Sequence, residues 1–137
     1  MMSSTQTIFK AERRALDWRG GLPTLSGERV TLRELRISDA STLYAELTSP
    51  EAKKFMWAPP PNVVAFERFI EWTHKERAAG KYICYGVVPH GKEDAWGVFE
   101  LRQLQPGFVR GELGFVIAPS YWGTGVFYEG AQLLLDF

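Results

Sequence analysis

The stretch from Phe108 to Phe137 restricts the fold more than any other part of the chain. Phe108–Ala118 alternates in the two-residue period of a strand, with Val109, Leu113, Phe115 and Ile117 on one side. Pro119 ends it, and Gly123-Thr124-Gly125 leads into the amphipathic run Val126–Phe137. Strand, Gly-x-Gly and helix in that order form a recognisable device. The first turn of a helix carries unpaired N–H groups and a partial positive charge, so it favours anions. Glycines just before it let the backbone approach a phosphate closely. The other reading of the same pair is a tight turn and nothing more. Two common cradles do not fit. A Walker A loop ends in Gly-Lys-Ser/Thr, and here Val126-Phe127 follow Gly125. A dinucleotide fingerprint places a third glycine where Tyr128 stands.

The preceding elements can be read in order. Glu28–Arg33 alternates as a half-buried strand, and Ser38 and Asp39 offer N-cap chemistry to a short helix. Leu43, Tyr44 and Leu47 form its apolar face, and it ends near Ser49-Pro50. Ala58-Pro59-Pro60-Pro61-Asn62 is a loop. Asn62 caps a longer helix to about Ala79, with Val63, Phe66, Phe69, Ile70 and Thr73 recurring at helical spacing and Gly80 as its stop. Tyr82–Val88 is charge-free and rich in β-formers, a strand buried on both faces. Turns at Pro89–Asp94 and Gln105–Gly107 flank a strand at Trp96–Leu101. The order is β-α-α-β-β-β-α, an α+β domain with a mixed, mostly antiparallel sheet flanked by helices.

Composition removes whole classes of function. Sixteen basic and 16 acidic residues cancel, which argues against a nucleic-acid binder relying on bulk basicity. One cysteine, Cys84, excludes an internal disulfide framework, and with only His74 and His90 besides, no metal site is expected. No apolar run approaches the roughly 20 residues of a bilayer span. Residues 1–14 lack the apolar core of an export signal, because Ile8 and Phe9 stand alone. Residues 1–25 read as an N-terminal extension with a short helix around Ala11–Trp18, broken at Arg19–Pro23. The expected location is cytoplasmic.

Taken together, Leu25–Arg33, Ser38-Asp39-Ala40, Arg110–Ile117, Tyr121–Gly125 and Glu129 resemble the GNAT superfamily of N-acetyltransferases. Within it the likeness is to the RimJ/RimL type of ribosomal-protein-alanine acetyltransferase. "GERVTLREL" and "GELGFVIAPSYWGTG" are its most specific parts, and residues 26–137 form the domain in question. The resemblance implies the GNAT fold and acetyl-CoA as co-substrate. It implies transfer to a primary amine, either a protein N-terminus or a small molecule, by direct attack in a ternary complex.

The same resemblance implies site residues. The family's loop pattern, Gln/Arg-x-x-Gly-x-Gly/Ala, falls with Trp122 first, Gly125 fourth and Phe127 last. Phe127 departs from the small residue usual there. Backbone amides of Gly123, Thr124, Gly125, Val126 and Phe127 would hold the pyrophosphate. Phe115, Val116 and Ile117 would pair with the pantetheine arm and polarise the thioester carbonyl. Glu112 would be the general base, directly or through a water; its other reading is a strand carboxylate paired with Arg110 or Arg102. Trp57 and Pro59–Pro61 fall where the family places its acceptor edge, although core packing also accounts for Trp57. Cys84 reads as a small hydrophobe, and His74 and His90 as solvated.

Family domains continue past this helix with a strand, a helix and a final hairpin that carry the general acid. The expectation is therefore a chain lacking the C-terminal elements, with an uncovered sheet edge and a tendency to form homo-oligomers. Two rival functions remain: a GNAT-like domain that binds coenzyme A or a partner without catalysis, and a nucleotide-phosphate binder of another fold.

Overall fold

The charge-free run is the middle strand of a five-stranded sheet, and every residue from Tyr82 to Pro89 is buried. The computed structural model describes residues 18–53, 59–103 and 111–137. Strands β1 (Leu25–Ser26), β2 (Val30–Glu34), β3 (Tyr82–Pro89), β4 (Gly97–Gln103) and β5 (Gly111–Ile117) lie side by side in chain order. Each neighbouring pair is antiparallel. The helices are α1 (Ala40–Leu47), α2 (Pro50–Lys53), α3 (Val63–Ala78) and α4 (Val126–Asp136). Short 3-10 turns occupy Ile37–Asp39 and Pro119–Tyr121.

Alternation along the strands divides the interior into two layers. Tyr82, Cys84, Val88, Val98 and Val116 pack with Leu43, Leu47, Phe66 and Ile70 of α1 and α3. Ile83, Tyr85, Val87, Phe99 and Ile117 pack on the other face with Val126 and Leu134 of α4. Trp18 is buried in that second layer, and the Tyr85 hydroxyl donates to the Pro23 carbonyl at 2.8 Å. Packing thus reaches back into residues 18–25.

The observed order is β-β-α-α-α-β-β-β-α, which corrects the sequence reading in two places. The pair Leu25–Ser26 adds a strand, too short to show periodicity. The first helix stops at Leu47, and Pro50 opens a separate turn of helix instead of closing the first. Proline suits that position because it has no N–H to leave unpaired. Ser49 Oγ accepts the Ala52 N–H at 3.2 Å, completing the start.

Asp39 also differs from its expected role. It makes no side-chain cap to α1. Its fully buried carboxylate takes both Arg33 Nη atoms at 2.9 Å, the Arg36 N–H at 2.7 Å and the Ala95 N–H at 3.0 Å. By contrast Asn62 Oδ1 does cap α3, accepting from Ala65 N at 2.8 Å, and Gly80 ends it with φ +75°. His74 is not simply solvated, since its Nε2 lies 2.7 Å from the Leu35 carbonyl. The expected helix over Ala11–Asp17, the turn at Gln105–Gly107, Trp57, Val109 and Arg110 lie outside the described residues.

Helix α4 sits close to the sheet because Gly130 faces the Phe99 ring. A Cβ there would stand 2.7 Å from Phe99 Cε2, a position no neighbour vacates cheaply. Gly130→Ala is expected to cost about 1–3 kcal/mol, read as a lower urea midpoint with an unchanged slope. A midpoint equal to or above wild type would contradict this packing.

Candidate functional site

Strand β5 is the edge of the described sheet, and the chain runs from it directly into the glycine loop. The Ala118 N–H donates to the Trp96 carbonyl, so residue 118 turns toward β4. In an antiparallel pair the two polar groups of one residue point the same way, and successive residues alternate. Those of Val116 and Gly114 therefore face β4, and those of Phe115 and Ile117 face away from the sheet. The Trp122 indole N–H donates to the Ile117 carbonyl at 2.8 Å, fastening the loop to the strand end. Among the described residues, both outward groups of Phe115 and the N–H of Ile117 have no partner.

The side chains of β5 follow the expected alternation, but two are not core. Leu113 and Phe115 share the face of Ile117, yet Phe115 is 55% exposed and Leu113 46%. The reason is position: β5 is the edge strand, α4 packs against β2 and β1, and over Phe115 it places only the Phe127 ring.

The loop is built by two left-handed glycines, Gly123 at φ +73° and Gly125 at φ +89°. Side chains rarely adopt that conformation, which explains glycine at both positions. Between them Thr124 is held by its own polar atoms. Its N–H and Oγ1 both donate to the Tyr121 carbonyl, at 3.4 and 2.6 Å, and Oγ1 also lies 3.4 Å from Val126 N. Of the five amides singled out from the sequence, Thr124 and Val126 thus have internal partners. Those of Gly123, Gly125 and Phe127 have none among the described residues. Gly125 is the N-cap of α4, so these groups converge at the positive end of an 11-residue helix. The Arg29 guanidinium lies against Gly125, adding a formal positive charge beside the loop.

Phe127, the departure from the small residue, turns onto the sheet. Its ring centroid is 4.5 Å from that of Phe115 and 5.7 Å from that of Phe99. Its backbone N–H remains at the helix start, and its side chain packs beside the edge strand. Glu129, one turn further, reaches back across the fold. Its Oε1 accepts the N–H groups of Arg29 at 2.7 Å and Val30 at 3.1 Å, locking α4 to the start of β2.

Glu112 lies exposed on the opposite face of β5, the side of α1 and α3. Arg102 is its cross-strand neighbour, but no ion pair joins them. One row further, Glu100 pairs across from both Cys84 and Gly114. The Tyr82 hydroxyl donates to Glu100 Oε2. Burial, then the neighbouring Cys84 and Glu100, pushes the Tyr82 hydroxyl above its usual range, so it remains a donor. Burial and the Glu100 charge likewise push the Cys84 thiol up, which keeps it protonated and unreactive. The sequence reading did not single out Glu100, whose partners meet only through the register: Cys84 and Gly114 lie directly opposite and Tyr82 diagonally. Among the described residues no group of acidic, histidine or cysteine side chains could hold a metal ion, and no helix is long and apolar enough to cross a membrane.

Comparison with known proteins gives this geometry a family. Residues 29–137 match the model of the acetyltransferase (GNAT) domain. The chain is 26% identical over 117 residues to the uncharacterized N-acetyltransferase p20 of Bacillus licheniformis, covering 85% of this chain and 66% of the relative. Its fold is similar to the ribosomal-protein-S5-alanine acetyltransferase of Vibrio fischeri, with TM-score 0.68 and 15% identity over 83% of this chain and 66% of the other. It is also similar to RimL, the ribosomal L7/L12 alpha-N-protein acetyltransferase, with TM-score 0.69 and 14% identity over 83% and 63% of the two chains. The chain therefore spans about two thirds of the length of these proteins or slightly less. The domain match covers most of the chain and includes the edge strand, the glycine loop and α4: the protein belongs to the GNAT acetyltransferase family.

Proposed function

We propose that the chain binds acetyl-CoA and transfers its acetyl group to a primary amine by direct attack in a ternary complex. The observation that carries this reading is the junction of β5 with α4, where unpaired amides, a helix N-terminus and an open strand edge adjoin. The N–H groups of Gly123, Gly125 and Phe127 would receive the pyrophosphate, while Thr124, Val126 and Trp122 hold the loop in shape. Free peptide groups of Phe115 and Ile117 suit a pantetheine arm lying along the edge, with Val116 anchoring the strand to β4. An outward N–H at Phe115 aimed at the thioester oxygen would stabilise the negative charge that develops there. The acceptor is a small amine or a protein N-terminus, and the setting is cytoplasmic.

An ammonium has no lone pair for attack, so the amine must lose a proton first. Glu112 stands on the face away from α4, with water access, and serves as the base directly or through a water. Glu112→Gln is expected to lower the rate of amine-dependent thiol release about 100-fold, within the usual range for a general base. Coenzyme A affinity by calorimetry should change little. Full turnover by the variant would remove Glu112 from this role. Failure of the wild-type chain to bind coenzyme A at all would remove the acetyl-transfer reading and leave a partner-binding domain.

A further inference from the structure

We propose that Glu100, tethered by Tyr82 whose ring lies against Trp72, seats the ammonium of the acceptor and selects amines carried on an apolar or aromatic body. This rests on the acetyl-transfer reading and adds the substrate class and the residues that choose it.

Three observations carry the inference. First, the Glu100 carboxylate is aimed. The Tyr82 hydroxyl holds Oε2, and Oε1 leans across the sheet to within 2.9 Å of where a Cβ on Gly114 would stand. A side chain at 114 would displace it, so glycine leaves this spot to the carboxylate. Second, the place is right for the chemistry. Gly114 immediately precedes Phe115, whose outward peptide groups adjoin the thioester in the reading above. Glu112 begins three residues, roughly 10 Å, before Phe115 along the strand. The carboxylate at Gly114 therefore stands between Glu112 and Phe115 along the strand. Third, an exposed ring stands beside the tether. Trp72 on α3 is 42% exposed, and its ring centroid is 4.9 Å from that of Tyr82. A cation beside such faces gains from the ring quadrupole, and an apolar substituent gains by burial against the indole.

The division of labour is then distinct. Glu100 binds the charged amine and Glu112 accepts its proton, so the two variants should differ in kind. Glu100→Gln raises KM for the amine, and Glu112→Gln lowers kcat. On the opposite face of the sheet the rings of Phe99, Phe115 and Phe127 pack together.

The test is calorimetric titration of phenethylamine into the chain saturated with coenzyme A, with ethanolamine as the comparison amine. Wild type should bind phenethylamine the more tightly. Glu100→Gln should weaken it at least about tenfold while leaving coenzyme A affinity within about twofold. Tyr82→Phe keeps the carboxylate, frees it from its tether and should give a smaller loss, which guards against a folding defect in Glu100→Gln. Trp72→Ala should abolish the preference for phenethylamine over ethanolamine. Unchanged phenethylamine affinity in Glu100→Gln, or no amine binding by the coenzyme-bound wild type, overturns the amine seat and leaves acetyl transfer standing. Absence of coenzyme A binding by the wild type overturns both.

Discussion

Arg33→Met is expected to lower folding stability by about 3–5 kcal/mol, because it strands the buried carboxylate of Asp39. That carboxylate has no access to solvent, and Arg33 supplies two of its four hydrogen bonds. Arg33 in turn donates to the carbonyls of Glu34 and Glu93, tying β2 to the turn before β4. Asp39→Ala should cost a similar amount, leaving a buried guanidinium and freeing the Arg36 and Ala95 amides. Urea unfolding near pH 7 reads both. The double variant Arg33→Met/Asp39→Leu should recover much of the loss, since neither charge is then left alone. If Arg33→Met melted like wild type, the pair would contribute nothing to stability.

The same pair sets a pH dependence. Burial alone would raise the Asp39 carboxyl. The hydrogen bonds from Arg33, Arg36 and Ala95 and the Arg33 charge outweigh it and hold the group below its ordinary value of 3.8. A carboxyl depressed in the folded state stabilises fully above its unfolded value. That contribution disappears as pH falls below about 3.8 and through the folded value. The stability gap between wild type and Asp39→Ala should therefore narrow in strong acid and stay constant from pH 5 to 7.

The second large effect is expected at the loop. Gly125→Trp should reduce coenzyme A affinity about 100-fold or more, the equivalent of two lost charge-assisted hydrogen bonds at about 1.5 kcal/mol each. Two causes act together. At φ +89° any side chain strains the backbone, and a Cβ at this point runs into the Arg29 guanidinium. The indole would also cover the free amides of Gly123 and Phe127. Gly91 supplies the control, because it has φ +85° with open space around it in the turn after β3. Gly91→Trp should share the backbone strain, about 1–2 kcal/mol, and keep the affinity. A folded Gly125→Trp chain that bound coenzyme A like wild type would disprove the cradle.

Much of the fold was legible because local signals and burial agree. Asn62 and Gly80 bound α3, the charge-free run becomes the central strand, and the glycine pair stands between strand and helix. What escaped reading depended on residues far apart. Asp39 has the chemistry of a cap, and only the fold brings Arg33 and the Ala95 amide to it. Phe115 and Leu113 alternate as core residues do, but they stand on the edge strand, whereas α4 packs against β1 and β2. The site divides in the same way. Gly123 and Gly125 can be recognised from their own sequence, whereas Glu100 acquires meaning only when the register sets it beside Tyr82 and Gly114.

The clasp between Glu129 and the start of β2 has a kinetic consequence. Its two hydrogen bonds span 99 and 100 residues of chain. Loops of that size are among the entropically costlier contacts to close, and such contacts form after local helices and hairpins. The orientation of the α4 N-terminus, and with it the anion cradle, is thus completed late in folding. Intermediates with native-like helices should lack ligand affinity, so recovery of binding during refolding would mark the arrival of the finished chain and lag behind the return of secondary structure.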